Sequence, residues 1–174
     1  MQLAITLLGL NSKSFITELL LTISECNCTI LEASCARLGK SCAAYLLIEG
    51  NWNHIARFEN NLALLQEKLE FQAQTLRLDK QEKPQEGMPY ALEVMTLEQD
   101  ETLQTIIAFL TENKIIIQDF TASRYHTHYN QSLVFSAKLI IIIPKDAALL
   151  AIREQFMDFC DQLNIDAMLE PIKR

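Results

Sequence analysis

Glycine and proline are scarce, at four residues each in a chain of 174. Disordered, low-complexity and collagen-like chains use far more of both, so the sequence is that of a packed protein. No long hydrophobic run occurs. The longest strongly apolar stretch, Leu139 to Ile143, is much too short to span a bilayer as a helix, so no membrane partner is expected. Clusters of Lys or Arg are missing too, and the formal net charge is -7 with an isoelectric point near 5.0. Proteins that grip a phosphate backbone carry a basic face, so direct nucleic-acid binding is disfavoured. The start, Met1-Gln2-Leu3-Ala4-Ile5, lacks the basic residues and cleavage site of a secretory signal, and a soluble cytoplasmic protein is expected. In that compartment the five cysteines (Cys26, Cys28, Cys35, Cys42, Cys160), odd in number, stay thiols.

Signatures of catalysis are also wanting. There is no G-x-S-x-G, no P-loop and no G-x-G-x-x-G. His54 opens a helix and the other two histidines share one loop, so no nucleophile, base and orienting group converge. No catalytic residue, cofactor or metal site is expected. Cys26-Asn27-Cys28 lacks the C-x-x-C spacing and second pair of a zinc site, and with Cys35 and Cys42 nearby it reads as buried thiols. His126 and His128, flanked by Tyr125 and Tyr129, fall on one face of an extended chain without a neighbouring carboxylate or thiol. An exposed loop is expected there. Trp52, the only tryptophan, stands in the first turn of a helix, where packing is the expectation and self-association the alternative.

What the chain does contain is a repeat. Apolar residues make up 49% of it and recur in strand and helix periods. A strand over 2–9 is followed by a helix over about 13–26, with Phe15, Ile16, Leu19, Leu20 and Ile23 inward and Asn11 or Ser12 as cap. Strands 28–38 and 41–49 meet at the Gly39-Lys40 hairpin. Asn51 caps a helix over about 52–68 whose inward face is Ile55, Phe58, Leu62, Leu65 and Leu69, and a strand over 70–78 closes the set. Asp79 to Gly87 holds no apolar residue and reads as a linker. The order then returns: strand 89–97, helix about 100–112 (Leu103, Ile106, Ile107, Leu110 inward), strands 114–125 and 132–143, helix about 146–163 and strand 165–172. The last helix turns Leu149, Leu150, Ile152, Phe156 and Phe159 inward. Pro144 ends its preceding strand and Asp146 is its expected cap.

Six elements in one order, twice, is the ferredoxin-like plan. The expected class is α+β: two tandem βαββαβ modules, each an antiparallel four-stranded sheet with two helices on one face. Module 1 is placed at 1–79, the linker at 80–87 and module 2 at 88–174; a single αβ domain is the competing reading. Each sheet exposes edges that need cover, so the modules are expected to associate, within one chain or as a homodimer. The turn Gly9-Leu10-Asn11-Ser12-Lys13-Ser14 ends at a helix N-terminus, whose N–H groups can hold a carboxylate; on chemistry alone an ordinary capped turn is the favoured reading.

The stretch Cys26-Asn27-Cys28-Thr29-Ile30-Leu31-Glu32-Ala33-Ser34, then Arg37-Leu38-Gly39, then Tyr45-Leu46-Leu47-Ile48-Glu49-Gly50-Asn51-Trp52-Asn53-His54-Ile55, resembles the glycine cleavage system transcriptional repressor family, a tandem pair of ACT domains. The Gly-Asn-Trp-Asn junction is its most telling part. The resemblance implies a regulator without catalysis, sensing a glycine-like amino acid and repressing glycine-cleavage genes through contact with a DNA-binding transcriptional activator. It implies a ligand site between the first loop and a neighbouring strand start: Asn11, Ser12, Lys13, Ser14 and Phe15 opposite Cys28, Thr29, Ile30 and Leu31. The family's first loop typically reads Asp-Arg-Pro-Gly where this chain has Asn11-Ser12-Lys13-Ser14, so the glycine that admits a ligand to the backbone is replaced. In the second module Glu98-Gln99-Asp100-Glu101 is acidic and repels a carboxylate. Two alternatives stand beside this reading: an interaction module unrelated to glycine metabolism, and a small enzyme, since a fold does not dictate an activity.

Overall fold

The computed structural model describes residues 1–10, 13–78, 87–97, 101–127 and 131–172. The chain divides into two compact units, Met1–Lys83 and Pro84–Arg174. Unit 1 runs β1 (Gln2–Leu10), α1 (Lys13–Glu25), β2 (Thr29–Leu38), β3 (Ser41–Glu49), α2 (Trp52–Leu69) and β4 (Phe71–Leu78). Unit 2 repeats this as β5 (Gly87–Leu97), α3 (Thr102–Glu112), β6 (Ile116–His126), β7 (Leu133–Pro144), α4 (Leu149–Gln162) and β8 (Asp166–Pro171). The sheets have the orders β2-β3-β1-β4 and β6-β7-β5-β8, antiparallel throughout. The expected α+β architecture is therefore the observed one.

Alternation along the two middle strands builds each core. In unit 1, Leu3, Ile5 and Leu7 of β1 and Cys42, Ala44, Leu46 and Ile48 of β3 are buried with Phe15, Leu19 and Ile23 of α1 and Ile55, Phe58 and Leu62 of α2. In unit 2, Leu92 and Val94 of β5 and Ala137, Leu139 and Ile141 of β7 are buried with Ile106 and Leu110 of α3 and Phe156 and Cys160 of α4. Neither core draws a residue from the other unit. The edge strands differ: β2 is exposed along its whole length and β6 from Gln118 to His126.

Local signals explain most boundaries. Asn51 caps α2, its side-chain oxygen accepting from the His54 N–H at 2.8 Å, a contact of the kind worth about 1 kcal/mol. Gly39 has φ 62 in the two-residue turn between Leu38 and Ser41, a backbone suited to glycine. Gly87, read as linker, instead opens β5. A Cβ there would lie 2.3 Å from Ile142 and 2.7 Å from the Ile143 carbonyl, so only glycine fits against β7.

Several expectations are corrected. Asp146 does not cap α4, which starts three residues later behind Ala148 without a side-chain cap. Leu20 and Leu150 point outward, because two helices on one sheet bury a narrower stripe than their apolar periodicity spans. Trp52 is 61% exposed rather than packed. His126 belongs to β6, paired with Leu133, rather than to a loop, while His128 and Tyr129 lie outside the described residues. The expected caps Asn11 and Ser12, and linker residues 80–86, also lie outside them.

Three helices end in the same device. Beyond α1, α3 and α4, residues Asn27, Lys114 and Asn164 adopt φ of 55, 58 and 51. In each, the left-handed residue bonds three residues back and the next residue bonds five back, as Ile115 N–H to Leu110 O at 2.9 Å. Asparagine tolerates this conformation; lysine pays for its Cβ. Lys114→Gly should therefore stabilise the protein by about 0.5–1 kcal/mol in urea unfolding, unlike the loss that glycine brings to a helix interior.

Candidate functional site

The nine residues assigned to a ligand site fall into two groups, and the sheet register separates them. Leu10, the last residue of β1, pairs with Ser41, so the turn toward α1 lies at that end of the sheet. Thr29, the first residue of β2, pairs with Glu49, which also pairs with Gln2 at the start of β1. Eight strand steps lie between the two ends, about 25 Å at an ordinary strand rise. Within unit 1, Thr29 therefore stands at the opposite end of the sheet from Leu10.

Within the first group, Asn11 and Ser12 lie outside the described residues, and α1 begins at Lys13. Phe15 is a core residue, 1% exposed, with its ring 4.8 Å from that of Phe71. In the second group Cys28 is half-buried against the core, beside the Gly50 backbone and His54. Thr29, Ile30 and Leu31 are exposed. The ladder shifts between Ile30 and Glu32, leaving Leu31 as an extra residue. The same shift occurs at the matching place in β6, between Ile117 and Asp119. Bulges bend an edge strand and redirect its side chains, and they cluster near binding sites. Nothing in the periodicity of β2 or β6 announced them.

Shallow depressions mark two further places. On the sheet face away from the helices, one of about 180 Å³ is lined by Thr6, Leu8, Gln72 and Gln74, and one of about 210 Å³ by Glu93, Met95, Ser136, Asp166 and Met168. They lie at matching positions of the repeat, between the first and last strands of each sheet. A third, of about 160 Å³, runs between α1 and β2 beside Leu19, Leu20, Ala33, Cys35 and Leu46, and is almost wholly apolar. Among the described residues no three His, Cys, Asp or Glu side chains group as metal ligands, and no helix is long and apolar enough to cross a membrane.

The cysteines are free thiols in graded surroundings: Cys26, Cys42 and Cys160 buried, Cys28 half-buried and Cys35 exposed, so of the Cys26-Asn27-Cys28 pair, read as buried, only Cys26 is fully so. Burial, and secondarily Cys26, pushes the Cys28 thiol up. Burial, with a smaller push from Asp161, raises Cys160 from 9.0 to about 11.

Residues 1–79 match the family model of the ACT domain. The first unit is an ACT domain. The resemblance read in Cys26–Ile55 thus holds at the level of the domain, and unit 2 repeats its topology. Two solved structures match the whole two-unit architecture. One, named as a candidate glycine cleavage system transcriptional repressor, is 20% identical with a TM-score of 0.73 and covers 99% of this chain and 98% of its own. The other, a protein of unknown function from Galdieria sulphuraria, is 14% identical with a TM-score of 0.75 and the same coverages. At such identities the likeness is one of fold. No curated protein matches the sequence.

The buried thiol in unit 2 gives a pH dependence. The folded value of Cys160 lies above the ordinary one, so its neutral form favours the fold fully below pH 9.0, and that contribution is lost as pH rises toward about 11. Urea unfolding across this range should show a steeper alkaline decline for the intact protein than for Cys160→Ala.

Proposed function

We propose that this ACT-domain protein is a non-enzymatic regulator that represses glycine-cleavage genes by contacting a DNA-binding activator, and that it senses a glycine-like amino acid when assembled. The observation that supports this most is the edge strand β2, exposed along its whole length and paired on one side only. A strand paired on one side offers its free N–H and C=O groups to another strand. Antiparallel edge-to-edge pairing of two copies as a homodimer sets Thr29–Leu31 of one against the end of the sheet that carries Leu10 in the other. Ligand binding and association are then coupled: a ligand that binds only the assembled form stabilises it. The fold shared with the candidate repressor, over nearly all of both chains, agrees with this role. So does the acidic charge, which suits a protein partner better than DNA.

A reading without amino acid sensing draws on the loops. Asn11-Ser12-Lys13-Ser14 has no glycine, and Glu98-Gln99-Asp100-Glu101 repels a carboxylate, so the protein acts through its partner alone. Cells deleted for the chain should transcribe glycine-cleavage genes without added glycine; unchanged transcription contradicts the proposal. Calorimetric titration with glycine separates the two versions, heat supporting the sensor and its absence the contact-only regulator.

A further inference from the structure

Two thiols lie close together on neighbouring strands of unit 1. Cys35 lies on the edge strand β2 and Cys42 on β3. In the register Cys35 faces Ala44 and Arg37 faces Cys42, which makes the two cysteines diagonal neighbours on one face of the sheet. That face is the helix side, since Ala44 and Leu46 belong to the core. Their sulfurs are 3.1 Å apart. A disulfide holds its sulfurs at about 2.05 Å, so closure asks them to approach by about 1 Å, within the reach of side-chain rotation. The strands are already held by their ladder and by the turn at Gly39.

The surroundings divide the work between the two thiols. Cys35 is exposed and meets solutes; Cys42 is buried behind it. A hydrogen bond with Cys35, then burial, pushes the Cys42 thiol up, which keeps it protonated until its neighbour reacts. No His, Asp or Glu among the described residues joins the pair to make a metal site.

We propose that Cys35 and Cys42 are a redox modification site at which a hydroperoxide closes a reversible cross-strand disulfide. Cys35 gives up its thiol proton and the thiolate attacks one peroxide oxygen; the O–O bond breaks, the sulfur becomes a sulfenic acid, and the other oxygen leaves as hydroxide, which takes up the released proton as water. The Cys42 sulfur then attacks the sulfenic sulfur. The S–O bond breaks, and the departing hydroxide takes up the Cys42 proton as a second water. In sum two thiols lose two electrons and two protons, and one hydrogen peroxide becomes two waters. A dithiol reductant reverses the bond by exchange. The disulfide ties the edge strand β2 to β3 beside the apolar groove that Cys35 lines with Leu19 and Leu20.

The test uses the full chain, hydrogen peroxide and mass spectrometry after alkylation. Trypsin cuts after Lys13, Arg37, Lys40 and Arg57, so Cys35 falls in peptide 14–37 and Cys42 in 41–57. The expected product is an intact chain lighter by two hydrogens that yields these two peptides linked, with fragmentation placing the bond at Cys35. It reverts on treatment with dithiothreitol. Cys28→Ala keeps the link, and Cys35→Ser and Cys42→Ala each abolish it. Oxidation of Cys35 to sulfinic acid without a link, or a link that survives in Cys35→Ser, overturns the proposal.

Discussion

Each core is closed by one interaction: the inward residues of the first strand are sealed by two helices of the same unit. In unit 1, Leu3, Ile5 and Leu7 meet Phe15 and Phe58; in unit 2, Leu92 and Val94 meet Ile106 and Phe156. Burying such side chains is worth about 1.5–3 kcal/mol each, which outweighs any surface ion pair in the chain. The sealing is confined to the middle of the sheet. Two helices cover the central strands and leave β2 and most of β6 exposed. The fold thus meets its own needs and keeps a free edge.

That division shapes the functional reading. An edge strand exposed on its side chains, with a register shift at the same place in both units, is the surface on which the proposed pairing rests. Leu10 and Thr29 stand at opposite ends of the sheet, which is why the proposed ligand site calls for a second copy. The same edge carries Cys35, which places the thiol chemistry on the strand that would carry the contact.

Much of this was legible in the residues. The short apolar run of β1 and the helical spacing of Ile55, Phe58 and Leu62 come directly from core burial, so element order and topology followed from them. The Asn51 cap was legible because its side chain acts within three residues. What escaped depends on distant partners. Trp52 and Leu150 read as packing residues because apolarity says nothing of whether a neighbour arrives. The bulges at Leu31 and Gln118 arise from register between strands, which no single segment encodes. The left-handed helix exits at Asn27, Lys114 and Asn164 were hidden because glycine, their usual signal, is absent there. In the candidate site, the distance between the two groups emerged only when β1 and β2 were placed in one sheet.

The central claim is that each βαββαβ unit folds on its own core. Residues 1–83 and 84–174, produced separately, test it most directly through their amide NMR spectra. The account predicts dispersed resonances for both fragments, overlaying those of the intact chain away from the cut. Collapsed, undispersed spectra for either fragment alone would contradict it, because that core would then depend on the other unit.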